Sequence, residues 1–307
     1  MKCHTCGQKA SLHMPQHRLA LCKEHFLEWL PAQTARFIQK YAMFTPQDRI
    51  LVAVSGGKDS LALWDVLWRL GYDVDGLYID LGIAGDVEYS ARSKEFVVEF
   101  AAQRGLVLRV FDLRETYGMT IAELSFRSQR GRGKPCAVCG LSKRHILDQV
   151  ALENGYSVLA TGHNLDDEAA VLFANTLEWK VDALARQRPV LPENSDLPRK
   201  VKPFCRFYER ETAAYALLRD IPYIYEECPF AGGNQTNAYK ETLNRLEVTR
   251  PGAKLAFYLN FLKNRERLWG KADLDEGLVD LHPCPVCGQP TTNQTKCAFC
   301  AMLRADN

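Results

Sequence analysis

Apolar positions along this chain fall into two spacings, short solid runs and longer helical stripes, and the two alternate. Ile50 to Val54 is a solid, largely β-branched run and predicts a strand buried on both faces. Leu61, Leu63, Trp64, Leu67 and Leu70 follow at helical spacing. Runs at 74–79, 106–111 and 157–161 predict further strands. A charged helix is expected over 88–104, and another from the 162–168 loop to about Trp179. Strand–helix units repeated at this length predict an α/β fold, a doubly wound parallel sheet with right-handed crossovers and a ligand crevice at the carboxyl ends of its strands. Upstream, Phe26, Trp29, Leu30, Phe37 and Tyr41 lie on one face of a predicted helix over 24–41. Downstream, 181–206 loses periodicity. Its prolines and its cations Arg186, Arg188, Arg199, Lys200 and Lys202 read as a long loop over the active face, set for phosphate backbone, or as a solvated linker. Helices at 209–219, 237–247 and 253–269 read as a helical addition. The expected divisions are an amino-terminal finger (1–30), a linker helix (31–48), the sheet domain with its helical addition (49–270) and a carboxyl-terminal ribbon (281–304).

Composition changes this picture little until the cysteines are reached. The chain has 307 residues, 47% hydrophobic and 25% charged, enough to fill a core, and a net charge of +2 that by itself marks no polyanion partner. No run approaches the roughly eighteen apolar residues of a membrane span, and Met1-Lys2-Cys3-His4 lacks a signal-peptide core. Eleven cysteines without an export signal imply metal binding rather than disulfides, in a cytoplasmic protein.

Three cysteine groups follow from spacing. Cys3-x-x-Cys6 and Cys22-x-x-His25 form a closed four-ligand set suited to a structural zinc; His4, His13 and His17 fall outside it and read as surface residues. Cys284-x-x-Cys287 and Cys297-x-x-Cys300 form a four-thiolate zinc ribbon. Cys136-x-x-Cys139 has no second pair beside it. Cys228, in Glu227-Cys228-Pro229, is its best partner and Cys205 the spare. Three cysteines leave one corner of a four-iron cluster open to an exogenous ligand, while a redox dithiol is the rival reading. Just before this pair, Arg127, Arg130, Arg132 and Lys134 stand on glycine-rich backbone without an acid, a candidate RNA-binding stretch.

The centre of the pattern is Ser55-Gly56-Gly57-Lys58-Asp59-Ser60, between the first strand of the sheet and its helix. Converging N–H groups and a helix amino terminus make a nest for an anion, with Lys58 beside it. It is not a Walker A loop, which spaces its glycines differently. Asp166 and Asp167 in the 162–168 loop read as Mg²⁺ ligands on phosphate, or as caps of the following helix.

The string Ser55–Ser60 resembles the PP-loop of the ATP pyrophosphatases, and the whole layout resembles the TtcA/TtuA family of PP-loop tRNA thiolation enzymes, the tRNA-uridine 2-sulfurtransferases in particular. That resemblance implies an AMP-forming enzyme that adenylates a uracil 2-carbonyl oxygen and then transfers sulfur through a [4Fe-4S] cluster. It places the cluster on Cys136, Cys139 and Cys228. It places ATP on Ala53, Ser55, Gly56, Gly57, Lys58, Ser60, Ile79, Lys143 or Arg144, Gly162, Asp166 and Asp167, with Mg²⁺ on the phosphates and Lys58 absorbing developing charge. Asp59 is assigned to proton transfer or alignment. The implied cofactors include two Zn²⁺, and the implied partners are tRNA, a sulfur donor (a ubiquitin-like sulfur carrier protein or free sulfide) and a second copy in a homodimer. A tRNA 2-thiocytidine synthetase, an RNA-binding sensor that holds ATP or an iron–sulfur cluster without catalysis, and an ammonia-using PP-loop synthetase are the alternatives.

Overall fold

The structure is a computed structural model that describes residues 1–85, 88–128, 135–193, 197–232, 235–270 and 281–303. Its centre is a six-stranded sheet in the order β5-β4-β3-β6-β8-β7. Here β3 is Ile50–Val54, β4 Val74–Asp80, β5 Leu108–Asp112, β6 Val158–Thr161, β7 Val190–Leu191 and β8 Arg199–Val201. All neighbours run parallel except β7, which pairs antiparallel with β8. The predicted doubly wound sheet is therefore present. From β3 the chain steps outward through β4 to β5 and then returns to β6 on the other side. That reversal makes the gap between β3 and β6 the switch point.

Alternation along the strands divides the interior into two cores. Ile50, Val52 and Val54 point into one, with Tyr78, Val158 and Ala160, against α2 (Lys58–Arg69) and α3 (Tyr89–Arg104). Leu51, Leu77 and Leu159 point into the other, against α6 (Pro135–Glu153). Burial on both faces explains why the central strands β3 and β6 are solid apolar runs rather than alternating ones. Two short helices, α4 (Leu113–Tyr117) and α5 (Ile121–Arg127), precede α6, and Thr120 with Glu123 forms a capping box for α5.

The stretch 181–206 departs from the predicted long loop. It contains α8 (Val181–Arg186) and the strands β7 and β8, which extend the main sheet. With two or three residues each, these strands are too short to show a period, and β8 is extended because β6 offers it an edge. The helical addition is α9 (Glu209–Leu218), α10 (Gln235–Thr249) and α11 (Ala253–Trp269), close to expectation; α10 and α11 pack on α7 (Leu165–Leu177), and α9 packs on α2.

The two fingers sit on opposite cores. The amino-terminal one contains β1 (Leu12–Met14) and β2 (Leu19–Leu21) and runs into α1 (Lys23–Lys40), which continues unbroken across residue 30. Cys3, Met14, Leu21, Phe26 and Leu30 join the first core. His17, read above as a surface residue, docks this finger instead. Its Nε2 lies 2.9 Å from Glu211 Oε1, and its ring packs 5.4 Å from that of Trp29. The carboxyl-terminal ribbon holds β9 (His282–Pro283), β10 (Pro290–Thr291) and α12 (Ala298–Leu303). It joins the second core through Phe299, stacked on His145 at 4.1 Å. No helix among the described residues is long and apolar enough to cross a membrane.

Candidate active site at the strand ends

The loops after β3 and β6 meet across the switch point. Gly56 sits at φ 79°, and a Cβ there would fall 2.6 Å from the Ser93 carbonyl oxygen, so only glycine lets the loop turn against α3. The Ser60 hydroxyl closes the turn, accepting from Ser55 N at 3.1 Å and donating to the Gly57 carbonyl at 2.9 Å. Across from it, a Cβ on Gly162 would lie 2.9 Å from Ser60 N. The two loops thus touch backbone to backbone.

Charges at this junction alternate. Lys58 Nζ donates to Asp59 at 3.0 Å and to Glu209 at 2.8 Å. Lys240 Nζ lies 2.6 Å from Asp167 and 3.3 Å from Glu209. Burial opposes the Lys58 ammonium, but Asp59 and Glu209 more than offset it and hold its pKa above the ordinary value. Burial likewise pushes Glu209 up, and Lys58 and Lys240 reverse the sign, so its carboxyl is held below the usual range. For Asp59 burial prevails over Lys58 and the Thr212 hydroxyl, and its pKa is raised. Sequence reasoning missed Glu209, Thr212 and Lys240. They come from α9 and α10, and in sequence Glu209 is indistinguishable from any acid in a first helical turn.

The two adjacent aspartates separate. Asp167 lines a cavity and pairs with Lys240, and its Oδ2 caps the helix by accepting from Asn164 N at 3.0 Å. Asp166 is placed apart from Asp167. It is buried, accepting from Lys254 Nζ at 2.5 Å and from Glu209 N at 2.9 Å, and it is absent from the lining of both cavities described next. The N-cap of α7 is Asn164, whose side chain accepts from Asp166 N and Asp167 N. His163, given no role above, faces the same cavity with its Nδ1 2.7 Å from Thr161 Oγ1; burial, then Lys202, lowers its pKa.

Two cavities open at the strand ends. The smaller, about 130 Å³, is largely apolar and lies between Ala53–Ser55, Leu77–Ile79 and Tyr89, with Cys139 and Cys228 in its wall. The larger, about 550 Å³, lies between Ser55, Asp59, Ser60, Gly162 and Asp167, with Lys143, Arg144, Lys200 and Lys202 around it. Both share Ala53, Ser55, Lys143 and Leu147. Of the expected nucleotide residues, Ala53, Ser55, Ser60, Ile79, Lys143, Arg144, Gly162 and Asp167 line one cavity or both.

Cys139 and Cys228 stand in the wall of the smaller cavity, and Cys136 lies beside them outside its lining. Cys136 Sγ donates to the Phe230 carbonyl at 3.2 Å, two residues beyond Cys228. Burial pushes the Cys139 thiol up; Lys143 opposes this, while Cys228 and Cys136 add to it. The Cys228 segment is pinned to the phosphate loop, since Ile224 N donates to Gly56 O at 3.0 Å. Cys205 is excluded as the spare, being fully buried in the first core with its thiol pushed up to about 12. Of the basic stretch, Arg127 is exposed, its guanidinium 3.3 Å from Met119 Sδ, and Arg130, Arg132 and Lys134 lie outside the described residues.

Each predicted finger brings four ligand atoms together: Cys3, Cys6, Cys22 and His25 in one, Cys284, Cys287, Cys297 and Cys300 in the other, within 4.8 Å of one another in each set. Sulfur separations are 3.9 Å for Cys6–Cys22 and 3.8 Å for Cys287–Cys297. Burial raises the Cys3 and Cys284 thiols, but backbone N–H groups outweigh it and draw both down to about 6.

Comparison with known proteins places the chain. Residues 2–27 match the family described as 2-thiouridine synthetase TtuA, N-terminal LIM domain, and residues 30–249 match the PP-loop domain family. The tRNA-5-methyluridine(54) 2-sulfurtransferase of Thermus thermophilus is 53% identical over 305 residues, covering 99% of this chain and 92% of the relative. The enzyme of the same name from Pyrococcus horikoshii is 40% identical, with 98% and 93% covered. Among solved structures, the U34-tRNA thiolase NcsA from Methanococcus maripaludis with its [4Fe-4S] cluster superposes with a TM-score of 0.76 at 23% identity, over 89% of this chain and 90% of that one. The phosphate-loop sheet, the finger ahead of it and this identity over nearly the whole length show that the chain belongs to the TtuA family of PP-loop tRNA 2-sulfurtransferases.

Proposed function

We propose that this chain makes 2-thiouridine in tRNA by adenylating the uridine 2-carbonyl oxygen with ATP and exchanging AMP for sulfur. The observation that carries the reading is the placement of Cys139 and Cys228 in the wall of a cavity that shares Ser55 and Lys143 with the phosphate loop's own cavity, with Cys136 bonded to the Phe230 carbonyl just beyond Cys228. Activation and sulfur delivery then adjoin. The proposed target is 5-methyluridine at position 54, because relatives at 53% and 40% identity carry that name. A ubiquitin-like sulfur carrier protein or free sulfide as donor, a homodimeric state and a cytoplasmic location belong to the same reading.

The residues fit the groups the reaction requires. Tetrahedral zinc with sulfur at ~2.3 Å sets its ligand sulfurs ~3.8 Å apart, which the Cys6–Cys22 and Cys287–Cys297 separations match. Cys136, Cys139 and Cys228 would hold a [4Fe-4S] cluster; when bound, it supplies one iron free for an exogenous sulfur ligand. Asp167 is a cavity-lining carboxylate that would hold Mg²⁺ on ATP phosphates.

The chain's own groups do the rest. Lys58 and Lys240 are held on opposite oxygens of Glu209, so an entering polyphosphate displaces one carboxylate and gains two ammonium groups. Thr212 and Lys58 fix the Asp59 carboxylate beside the loop, and burial raises its proton affinity, which suits proton transfer or alignment. The apolar wall of the smaller cavity excludes water from the activated carbon. The test is anaerobic reconstitution with ATP, sulfide and unmodified tRNA, followed by mass analysis of nucleosides. Expected are 2-thiolated uridine, AMP and pyrophosphate, with sulfur transfer lost on changing Cys136, Cys139 or Cys228 to serine while ATP binding persists. Thiolation that survives all three changes would falsify the reading.

A further inference from the structure

We propose that Tyr225 is a stacking platform for an unpaired nucleobase of the substrate RNA, set on the rim between the phosphate loop and the cysteines. The inference rests on the tRNA reading above and adds a residue and a contact to it.

The segment that carries Tyr225 has no regular secondary structure, yet it is held at several points. Ile221, Tyr223 and Ile224 are buried. Ile224 N donates to the Gly56 carbonyl at 3.0 Å, tying the neighbour of Tyr225 directly to the phosphate loop. Three residues past Tyr225 comes Cys228, in the cavity wall with Cys139. Tyr225 thus lies along the chain between a residue bonded to the nucleotide loop and a cysteine in the cavity wall.

On this anchored segment Tyr225 itself is 70% exposed. Its ring packs against that of Tyr223 with centroids 4.4 Å apart and planes at 39°. Its exposure leaves most of the ring open to a partner, and the bond from Ile224 to the phosphate loop holds the backbone beside it, so stacking there costs little further ordering. Among the described residues two other large aromatics are as exposed, Phe126 and Trp179, and neither lies on a segment whose backbone is bonded to the phosphate loop. A flat, wide, amphipathic ring beside a site whose substrate must leave its stack matches a nucleobase, because every base offers a π-face. Lys143 and Arg144, at the wall of the adjoining cavity, offer cations to the strand's phosphates, while Lys200 and Lys202 there are paired with Asp148 and Glu168.

The experiment compares the full-length, anaerobically reconstituted protein with Tyr225→Ala and Tyr225→Phe. It measures Kd for unmodified tRNA and KM for tRNA, ATP and sulfide. Tyr225→Ala is expected to raise the tRNA Kd and KM between about fivefold and about a hundredfold, the loss of one base–aromatic stack. ATP KM should stay within about twofold, and Tyr225→Phe, which keeps the ring, should match the parent. A rise confined to ATP KM would mean that the ring stacks adenine, and a rise confined to the sulfur donor would mean a donor-docking surface; either overturns the proposal. Unchanged tRNA Kd in Tyr225→Ala overturns it as well. Failure of the underlying reading looks different: the parent would transfer no sulfur at all, and a tRNA Kd that still rises in Tyr225→Ala would leave the stack standing.

Discussion

Asp166→Asn and Asp167→Asn should have opposite signatures although the residues are adjacent. Asp166 and Lys254 are both buried, with side chains 6% and 3% exposed and 2.5 Å between their charged atoms. Replacing the carboxylate by an amide takes away the Lys254 ammonium's ion-pair partner and leaves it the Asn244 side-chain oxygen at 2.6 Å and the Tyr208 ring at 4.9 Å. Removing one partner of a buried pair costs about 3–5 kcal/mol, which lowers Tm on the order of 10 °C in a chain of this size. Asp167 and Lys240 are 26% and 21% exposed, and losing a solvent-screened pair of that kind costs about 1 kcal/mol or less. Asp167 faces the cavity, so its loss should instead lower AMP formation on the order of a hundredfold. Urea unfolding followed by tryptophan fluorescence, with AMP release measured below the transition, separates the two effects. Changing Asp166→Asn and Lys254→Met together removes both charges and should recover most of the lost stability. If Asp166→Asn unfolds within about 1 kcal/mol of the parent, or Asp167→Asn proves the less stable of the two, the division of labour described here is wrong.

Lys240→Ala should cut AMP and pyrophosphate formation about as much as Lys58→Ala, on the order of a hundredfold, without lowering the melting temperature appreciably; parent-like turnover would remove Lys240 from the phosphate site. Metal analysis of the purified chain should give about two zinc per molecule, and zinc-free protein with Cys284–Cys300 in disulfides would contradict both fingers. Burial lowers His145 to about 4 from an ordinary 6.5, so the unfolded chain binds the proton more tightly. Stability should be full above pH 6.5 and fall as pH drops from there towards about 4. His145→Leu should flatten that slope, and an unchanged slope would show that the charge on this side chain is not what the ribbon's seat resists.

Much of this was readable because the physics behind it is local. A strand buried on both faces has to be apolar throughout, so Ile50–Val54 announces itself, and the glycine-bounded turn after it follows from backbone geometry alone. Metal ligands paired at two-residue spacing are equally local, and both fingers fold as their spacing implies. What stayed hidden depends on partners distant in the chain. Asp166 looks like Asp167 until Lys254, 88 residues on, claims one of them. Glu209 and Lys240 join the phosphate site only because α9 and α10 fold back over α2 and α7. The strand β8 has too few residues to carry a pattern and owes its conformation to the edge of β6. His17 was passed over because Glu211 lies far along the chain.

The docking of the amino-terminal finger also sets an order of events during synthesis. Its four ligands are all present once His25 has been made, and the pair Gln16 and His17 then waits for its partner Glu211, with 195 residues separating Gln16 from that carboxylate. The finger can therefore take its ion early, while its seat is built last, when α9 closes over α1 and α2. A nascent chain stalled before α9 would carry a finished finger whose Gln16 and His17 have no carboxylate to seat on. Docking would then mark that α9, which brings Glu209 to the phosphate loop, is in place.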